Sequence, residues 1–509
     1  MMKRVAVLCF GLLIPMGFTA SQLHASVFDV KKYGAVGDGK ALDSPAINKA
    51  IDAASAAGGG TVYFTAGTYL SGSIHLKSNI TLYLDQGATI QASPDPEAYD
   101  PIETSQKQWD KYQDFGHTYF HNSLIWGEGL ENIAILGPGV ISGKDALTRK
   151  ADQRIGNKAI SLKLCRNVVI RDVSILMAGH FAILATGVDN FTIDNIKIDT
   201  NRDGIDVDSC RHVRISNTSV NSPADDGIVI KGTHALGFAR ATEDMTITNY
   251  EVSGFQNGTF LDGTYKRGSN MPPQGHGPTG RIKIGTESEG SFRNITISNC
   301  VFDYSRGLAL ETVDGADLED ISITNITMRD IVNAPIYLRL GARMRAPEDV
   351  PIGSLRRVNI SNIVVYNADR GNGSLIMGIP GHDIEDVKLS NIRIYYQGGG
   401  TKEQAAINPP EEEKEYPEPY RHGDMPSYGF FIRHAKGIEF TNVEVSTIKE
   451  DLRPAFVLED VKGAEFNLVK AQHTPQTPIF SLKNVMDFSL FHSGLLPDTK
   501  LESVKEKQF

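Results

Sequence analysis

The chain has 509 residues, a formal net charge of −10 at pH 7 and no run of basic residues. This charge argues against nucleic-acid binding, and against capture of any acidic polymer by bulk electrostatics, because a polyanion must be held by locally placed Lys and Arg. Outside the N-terminal segment, three cysteines remain, Cys165, Cys210 and Cys300. An odd number of cysteines does not indicate a disulfide framework.

The first 25 residues have the pattern of a Sec-type signal peptide. Two basic residues precede the apolar stretch from Val5 to Phe18, and small residues ending at Ala25 predict cleavage before Ser26. The apolar stretch is too short to anchor the chain in a bilayer, and no later segment is apolar enough to span one. We therefore expect export to the periplasm or the extracellular space, without membrane insertion.

The segment after Ser26 predicts a capping helix followed by strands. Asp43 and Ser44 form a plausible N-cap for a helix over roughly 45–57, which three glycines end. Alternating apolar residues at 61–64 and 80–84 follow, so the helix is expected to cover the open end of a solenoid. We predict a single domain over 26–509, with an N-terminal cap at about 27–90, coils at about 120–470 and a C-terminal tail after 470.

A repeated motif fills most of the chain. It consists of two short alternating strands joined at a polar Asn or Asp corner, and the equivalent apolar residues are separated by 35, 23, 22, 32, 50, 26, 37, 29 and 51 residues. This pattern predicts an all-β solenoid of the parallel β-helix type, since neither leucine-rich spacing nor intervening helices are present. Each gap of about 50 residues is either two coils or one coil with a long loop.

One pair of neighbouring repeats carries acidic residues at its corners. The sequence from Asn201 to Gly204 contains Asp203, and Asp225 with Asp226 follows 22 residues later. That spacing places Asp203 and Asp225 on adjacent strands, about 4.8 Å apart. A lone Asp at such a position is most often a turn residue. Carboxylates this close acquire different pKa values, which supplies an acid and a base, as glycoside hydrolysis requires.

The stretches 201–206, 210–217 and 225–231 together resemble the core of glycoside hydrolase family 28, which includes polygalacturonases, exo-galacturonidases and rhamnogalacturonases. The resemblance covers about 27–469 and implies a right-handed parallel β-helix that hydrolyses pectic polysaccharide with inversion. It makes Asp225 the general acid, places Asp203 and Asp226 on the base side, and offers Lys231 as a substrate contact. It implies no metal and no cofactor.

The chain departs from the family pattern at the substrate-carboxylate site. The family's Gly-His-Gly is matched by the tripeptide around His276, which lies farther than usual from the next strand, so that Gly280 falls near the histidine position. We expect either that His276 reaches the cleft from a loop or that the tripeptide is coincidental.

The family's two bases in the following coil correspond to Ala309 and Glu311. Arg281 and Lys283 lie one coil earlier, with Lys283 stacked beneath Ala309 by a 26-residue offset. Two hypotheses follow. Arg281 and Lys283 hold the substrate carboxylate instead, or the subsite receives a neutral sugar such as rhamnose, with Glu311 binding hydroxyls or pairing with Lys283.

Two inserts, 254–274 and 398–428, are rich in Tyr, Pro and Gly. Aromatic rings stack on sugars and long loops can close one end of a groove, so these inserts favour exo action, although they could merely cover apolar flanks. Three alternatives stay open. They are a rhamnogalacturonan hydrolase, a calcium-dependent pectate lyase with a basic residue as catalytic base, and a non-catalytic glycan-binding β-helix.

Overall fold

The computed structural model describes residues 26–103, 108–144, 146–150, 155–268, 277–347, 349–494 and 496–509. Within these residues, 33 of the 35 strands join one sheet that winds into a parallel β-helix, and the other two form a small antiparallel pair. The predicted fold is therefore confirmed. Among the same residues, no helix is long and apolar enough to cross a membrane.

The strands run along the chain in order. The first eighteen are β1 Val27–Asp29, β2 Asp38–Leu42, β3 Gly60–Phe64, β4 Gly67–Ser71, β5 Ile74–His75, β6 Ile80–Leu84, β7 Ala88–Ala92, β8 Ile125–Glu128, β9 Glu131–Leu136, β10 Val140–Ser142, β11 Arg149–Lys150, β12 Ile155–Gly156, β13 Lys158–Lys163, β14 Arg166–Arg171, β15 Ser174–Leu176, β16 Phe181–Thr186, β17 Asp189–Asp194 and β18 Lys197–Asp199. The others are β19 Asp203–Asp208, β20 Arg211–Asn221, β21 Ile228–Gly232, β22 Thr242–Ser253, β23 Ile282–Ser288, β24 Phe292–Asp303, β25 Leu308–Thr312, β26 Asp317–Ile331, β27 Ile336–Leu340, β28 Ser354–Ala368, β29 Ser374–Met377, β30 Ile384–Tyr396, β31 Phe430–Thr447, β32 Phe456–Asn467, β33 Lys470–Ala471, β34 Phe480–Phe491 and β35 Thr499–Gln508.

In the described ranges two α-helices accompany the strands, α1 at Ser44–Ala56 and α2 at Lys402–Ala405. Helix α1 begins after Asp43, as predicted, but the Asp43 carboxylate accepts from the backbone N–H groups of Val36 and Gly37 and makes no cap hydrogen bond within the helix. The helix buries Ile47 and Ile51 against the first coils, because its apolar residues share one face.

Neighbouring coils pair at every spacing that the sequence indicates. Ile133 pairs with Val168, Val168 with Phe191 and Phe191 with Val213, and the same register continues to Ile438. The two gaps of about 50 residues, Met245 to Ile295 and Val387 to Ile438, are each one direct pairing. Each is therefore a single coil with a long loop.

Asparagine fixes the corners of the coils. Asn167 and Asn190 have positive φ angles of 56° and 53°, a conformation that Asn tolerates better than most residues. Their amides also bond from coil to coil: Asn167 donates to Asn132 at 2.9 Å and Asn190 donates to Asn167 at 2.8 Å. We call such columns, here and along Asn217 and Asn249, the amide ladder.

The stack extends beyond the predicted end near residue 470. Strand β34 pairs in parallel with β32, and β35 then pairs with β34 in the antiparallel direction. Phe456 and Phe480 stack inside these last coils, and Phe466 packs edge-to-face against both. The residues after 470 thus form a further coil and a closing strand.

Candidate active site

The candidate site lies on the outer face of β19, β21, β23 and β25. Ile205 and Val207 point into the core, so the alternate residue Asp206 points outward. Asp206 is level with Val229, which is level with Lys283, and Lys283 is level with Ala309. The predicted stacking of Lys283 on Ala309 is therefore confirmed.

Three carboxyl groups meet at one corner of this face. Asp203 begins β19, and Asp225 and Asp226 lie in the turn before β21. One oxygen from each of the three lies within 4.8 Å of the others. The turn is fixed by backbone bonds, from Gly204 N–H to the Asp226 carbonyl at 3.0 Å and from Gly280 N–H to the Asp225 carbonyl at 2.9 Å. The coil spacing thus brings the three predicted residues together, but Ile205 pairs with Ile228, an offset of 23 (228 − 205), so Asp203 is level with Asp226 and not with Asp225 as the 22-residue spacing predicts. We call these three residues the acid corner.

Arg202 is the charged partner of the acid corner. Its Nη2 donates to Asp225 Oδ2 and lies 3.7 Å from Asp203 Oδ2. The Asp225 side chain is 27% exposed, whereas those of Asp203 and Asp226 are 5% and 6% exposed. Asp225 is therefore the acid that a molecule in the groove meets first.

The charges around the corner separate the pKa values of two of its acids. Burial, with the neighbouring charges of Asp225 and Asp206, raises the pKa of Asp203 well above its usual value. Burial opposes ionisation of Asp225 too, but Arg202, Lys231 and Lys283 lower the pKa of its carboxyl. In the free protein these surroundings therefore favour a proton on Asp203 over one on Asp225. The family resemblance, which makes Asp225 the general acid, takes no account of the Arg202 ion pair.

Lys231 lies in a buried polar network beside the corner. Its Nζ is 3.0 Å from Glu287 and 3.7 Å from Asp206. The Nε2 atom of His117, which belongs to the segment before β8, lies 3.2 Å from the same Oδ2 atom of Asp206. Lys231 therefore contacts the protein's own carboxylates and positions Asp206 at the floor of the groove.

Arg281 is the basic residue next to Asp226. Its Nε donates to Asp226 at 2.8 Å, and its Nη2 donates to Glu418 at 2.5 Å. Arg306 Nη1 lies 3.0 Å from the same Glu418. Burial opposes ionisation of Glu418, but Arg281 and Arg306 lower its pKa to about 2. A carboxylate from the insert 398–428 thus occupies the place on Arg281 that was expected for a substrate carboxylate.

Lys283 makes a second internal pair. Its Nζ lies 3.2 Å from Glu311 Oε2 and donates to the Tyr416 hydroxyl at 3.2 Å. Burial raises the pKa of Glu311 to about 7, while the Lys283 charge opposes that rise. Of the two hypotheses for Glu311, the structure has its side chain paired with Lys283. The insert 398–428, which supplies Tyr416 and Glu418, is called the closing loop below.

Of the other predicted features, the structure describes the two inserts at least in part. The closing loop packs on the outer face of the later coils, where Met425 joins an apolar cluster with Tyr337, Leu375 and Phe431. The described part of the first insert lies beside Asp199, whose carboxylate accepts from backbone N–H groups of Gly258, Phe260 and Leu261. His276 and the predicted signal peptide lie outside the described residues.

Several site residues had no clear sequence signal. His117, Tyr416 and Glu418 come from loops outside the repeat, so no spacing rule places them. Arg202 and Asp206 lie inside the motif at 201–206, and the sequence could have indicated both. Asp206 falls on the outward-facing positions of β19, and Arg202 precedes an acid that stacks on another.

Cation binding competes with these ion pairs. Two described groups have the ligand spacing of a metal site, the acid corner and the trio of Glu103, His121 and Glu128. Lys163 neutralises Glu128 at 2.9 Å. Arg202 and Arg281 contact the acid corner directly, so they already supply the positive charge that a calcium ion would bring. The acid corner therefore suits proton transfer better than calcium binding.

Family models and curated relatives match large parts of the chain. The family model described as rhamnogalacturonase A/epimerase, pectate lyase-like matches residues 27–178, and the one described as right handed beta helix region matches residues 153–317. A probable polygalacturonase of Vitis vinifera is 23% identical over 404 residues, covering 74% of this chain and 76% of that one. An exo-poly-alpha-D-galacturonosidase of Dickeya chrysanthemi is 30% identical over 218 residues, covering 42% of this chain and 35% of that one.

Solved structures share the architecture. An exopolygalacturonase of Yersinia enterocolitica superposes with a TM-score of 0.63 at 18% identity, covering 86% of this chain and 78% of that one. A hyperthermoactive exopolygalacturonase of Thermotoga maritima superposes with a TM-score of 0.59 at 19% identity, covering 96% of both chains. These matches confirm the right-handed β-helix, and with the sequence relatives they confirm the resemblance to glycoside hydrolase family 28.

Proposed function

We propose that this family 28-like chain is a glycosidase that hydrolyses galacturonosyl linkages in pectic polysaccharide or oligosaccharides. The observation that carries the proposal is the acid corner, three carboxyl groups within 4.8 Å of one another on the outer face of the coils. The relatives named polygalacturonase support the substrate class. Neither a nucleic-acid partner nor a cofactor enters the proposal.

We assign the proton donor to Asp225 and the activation of water to Asp203 and Asp226. Asp225 is the most exposed of the three, and a donor must touch the glycosidic oxygen. Because Arg202 ion-pairs with Asp225 in the free protein, substrate must displace Arg202 and draw the shared proton from Asp203 to Asp225. Asp203 is then ionised and, with Asp226, orients the attacking water.

An activated substrate tests this assignment. A glycoside with a good aryl leaving group needs no proton donor, so Asp225→Asn is expected to lose at least about a hundredfold in kcat on pectic oligosaccharide but far less on the aryl glycoside. Asp226→Asn should lose activity equally on both. If Asp203→Asn instead were the variant that retained activity on the aryl glycoside, Asp203 would be the donor.

We further propose inversion of the anomeric carbon. The separations within the acid corner lie below the roughly 6.5–9.5 Å that is usual between the carboxyl groups of inverting enzymes, so inversion rests on the family resemblance and not on spacing. Proton NMR during early hydrolysis is expected to detect the inverted sugar first. A first product of retained configuration would indicate a covalent intermediate.

We also propose that the enzyme is exo-acting and that it is exported. The closing loop supports exo action, because Tyr416 and Glu418 cover Lys283 and Arg281 next to Asp226. Chromatography of early products should then contain one short product, whereas endo cleavage would give a ladder of lengths. Export rests on the sequence of residues 1–25, and the N-terminus of the exported protein should be Ser26.

The charge balance around Arg281 favours a second candidate, a rhamnogalacturonan hydrolase. Asp226 and Glu418 already compensate the charges of Arg281 and Arg306. A subsite in which every cation is compensated offers a substrate carboxylate little attraction. Comparing kcat/KM on homogalacturonan and rhamnogalacturonan oligosaccharides decides between the two substrates.

A further inference from the structure

A cavity of about 310 Å³ lies beyond Arg306, on the C-terminal side of the acid corner. This volume is at the small end of the range for ligand sites, so it suits one sugar residue better than a chain. The side chains that line it and matter here are Arg306, Val332, Asn333, Asp369, Asn372 and Tyr420.

Two buried donors in this cavity lack a partner. Arg306 and Asn333 are only 6% and 4% exposed, yet within the described part of the chain Arg306 Nε and Asn333 Nδ2 have no hydrogen-bond acceptor. The Asn333 amide is oriented by Gly307 N–H, which donates to its Oδ1 at 3.1 Å, so its NH₂ group is the one left over. Buried donors without acceptors are rare in native proteins and indicate an absent partner.

The chemistry of the lining indicates a neutral partner with several hydroxyls. The charge of Arg306 is compensated by Glu418 at 3.0 Å, so its Nε can donate a hydrogen bond while the pair offers no net positive charge. Asp369 and Asn372 add acceptors, and Tyr420 adds to the lining an aromatic side chain, the type that packs on sugars. A ligand carboxylate here would lie close to Asp369, which lines the cavity, and would be repelled.

The cavity lies along the same corner of the solenoid as the acid corner. Arg306, Asn333 and Asn372 precede β25, β27 and β29, as Asp225 precedes β21. Coil β23 intervenes between β21 and β25, so two coil steps, or roughly 10 Å, separate Asp225 from Arg306. A short glycan with its scissile bond at Asp225 could therefore reach the cavity with a residue near its end.

We propose that this cavity is a subsite for a neutral sugar residue of the substrate, bound by the Arg306 and Asn333 donors. The inference rests on the proposed function and deepens it, because it requires a pectic oligosaccharide with a neutral residue at or near one end. The closing loop contributes Tyr420 to the subsite and the Glu418 carboxylate that neutralises it.

Binding to the full-length Asp225→Asn protein tests the subsite without turnover. Calorimetry would compare galacturonic acid oligosaccharides with otherwise identical ones that end in rhamnose. The rhamnose-ended ligand is expected to bind roughly tenfold more tightly, the gain that one or two hydrogen bonds supply. That gain should vanish when Val332→Phe fills the cavity and when Asn333→Asp exchanges the amide donor for an acceptor while keeping the Gly307 contact.

The matched control is a variant at an exposed position of the same coil. Thr327→Leu, an exposed change on β26 of the Asn333 coil, should leave the gain intact. Equal affinity for both ligands in the Asp225→Asn protein, or a gain that survives Val332→Phe, would overturn the subsite. Hydrolysis by the unmodified protein would then still uphold the proposed function, whereas preferential binding without any hydrolysis would uphold the subsite and overturn the hydrolase.

Discussion

The amide ladder and the acid corner are built on the same coils with the same vertical spacing, yet their chemistry is opposite. Asn249 donates to Asn217 at 3.1 Å, and Asn217 donates to Asp194 at 2.8 Å. Each carboxamide carries both a donor and an acceptor, so a column of amides satisfies itself. Asp203 and Asp226 lie level on adjacent coils in the same way, with Asp225 beside them, but ionised carboxylates only accept, so this corner requires a shared proton and an arginine.

Stacking of side chains on successive coils neither stabilises nor destabilises the protein by itself. The type of side chain determines whether a column supports the fold or supplies reactive groups. The ladder is exposed and contributes to register, whereas the acid corner is largely buried and its like charges repel. Such repulsion costs stability and favours the protonated form of one carboxyl group. The comparison can be tested by changing each column separately.

The largest expected effect comes from making the acid corner resemble the ladder. Asp203→Asn supplies an amide where a buried carboxyl lies, so we expect turnover to fall at least about a hundredfold while the free energy of unfolding stays equal or rises. Steady-state kinetics and urea unfolding of the same preparation measure both. A fall in stability together with retained turnover would contradict the view that repulsion at this corner serves catalysis.

A further buried acid, Glu289 in the turn after β23, sharpens the comparison through pH. Burial, with the charges of Asp314, Asp208 and Glu287, raises the pKa of Glu289 to about 9. The folded protein then holds a proton that the unfolded chain loses near pH 4.5, so stability is highest below that pH and falls as pH rises toward 9. The slope is at most about 1.4 kcal/mol per pH unit.

Thermal unfolding of wild-type protein and Glu289→Gln between pH 5 and 9 measures this contribution. The variant has no such proton to lose, so its Tm should decline less over that interval. Parallel declines for both proteins would mean that Glu289 titrates normally.

The smallest expected effect is at the ladder. Asn217 has a positive φ of 53°, so Asn217→Ala should cost about 1–2 kcal/mol, from backbone strain and the lost amide bonds. Asn217→Gly removes the same bonds without the strain and should cost less. Turnover should be unchanged in both variants, and a tenfold loss would show that the ladder also positions the acid corner.

The sequence allowed the fold and the acid corner to be predicted for the same reason. Both depend on contacts between adjacent coils, and the register from Ile133 to Ile438 follows directly from the spacing of the motif. The partners of the acid corner depend on chain folding outside the repeat. Glu418 reaches Arg281 across 137 residues and His117 reaches Asp206 across 89, so neither contact follows from a period.

Which carboxyl group has the raised pKa could not be predicted for a related reason. The close acids indicate only that one pKa rises while another stays low, and the choice of Asp225 as general acid came from the family resemblance. The orientation of the Arg202 side chain, which chooses between Asp203 and Asp225, depends on packing that no sequence pattern encodes.

The wide range of coil lengths has a consequence for how such a protein can diverge. Successive coils span from 22 to 51 residues while their strands keep one register. Insertions at a corner therefore leave the hydrophobic stack unchanged and alter only the walls of the groove. A single insertion or deletion can therefore add, lengthen or remove a segment such as the closing loop. The glycans that the groove binds then change while the fold is kept.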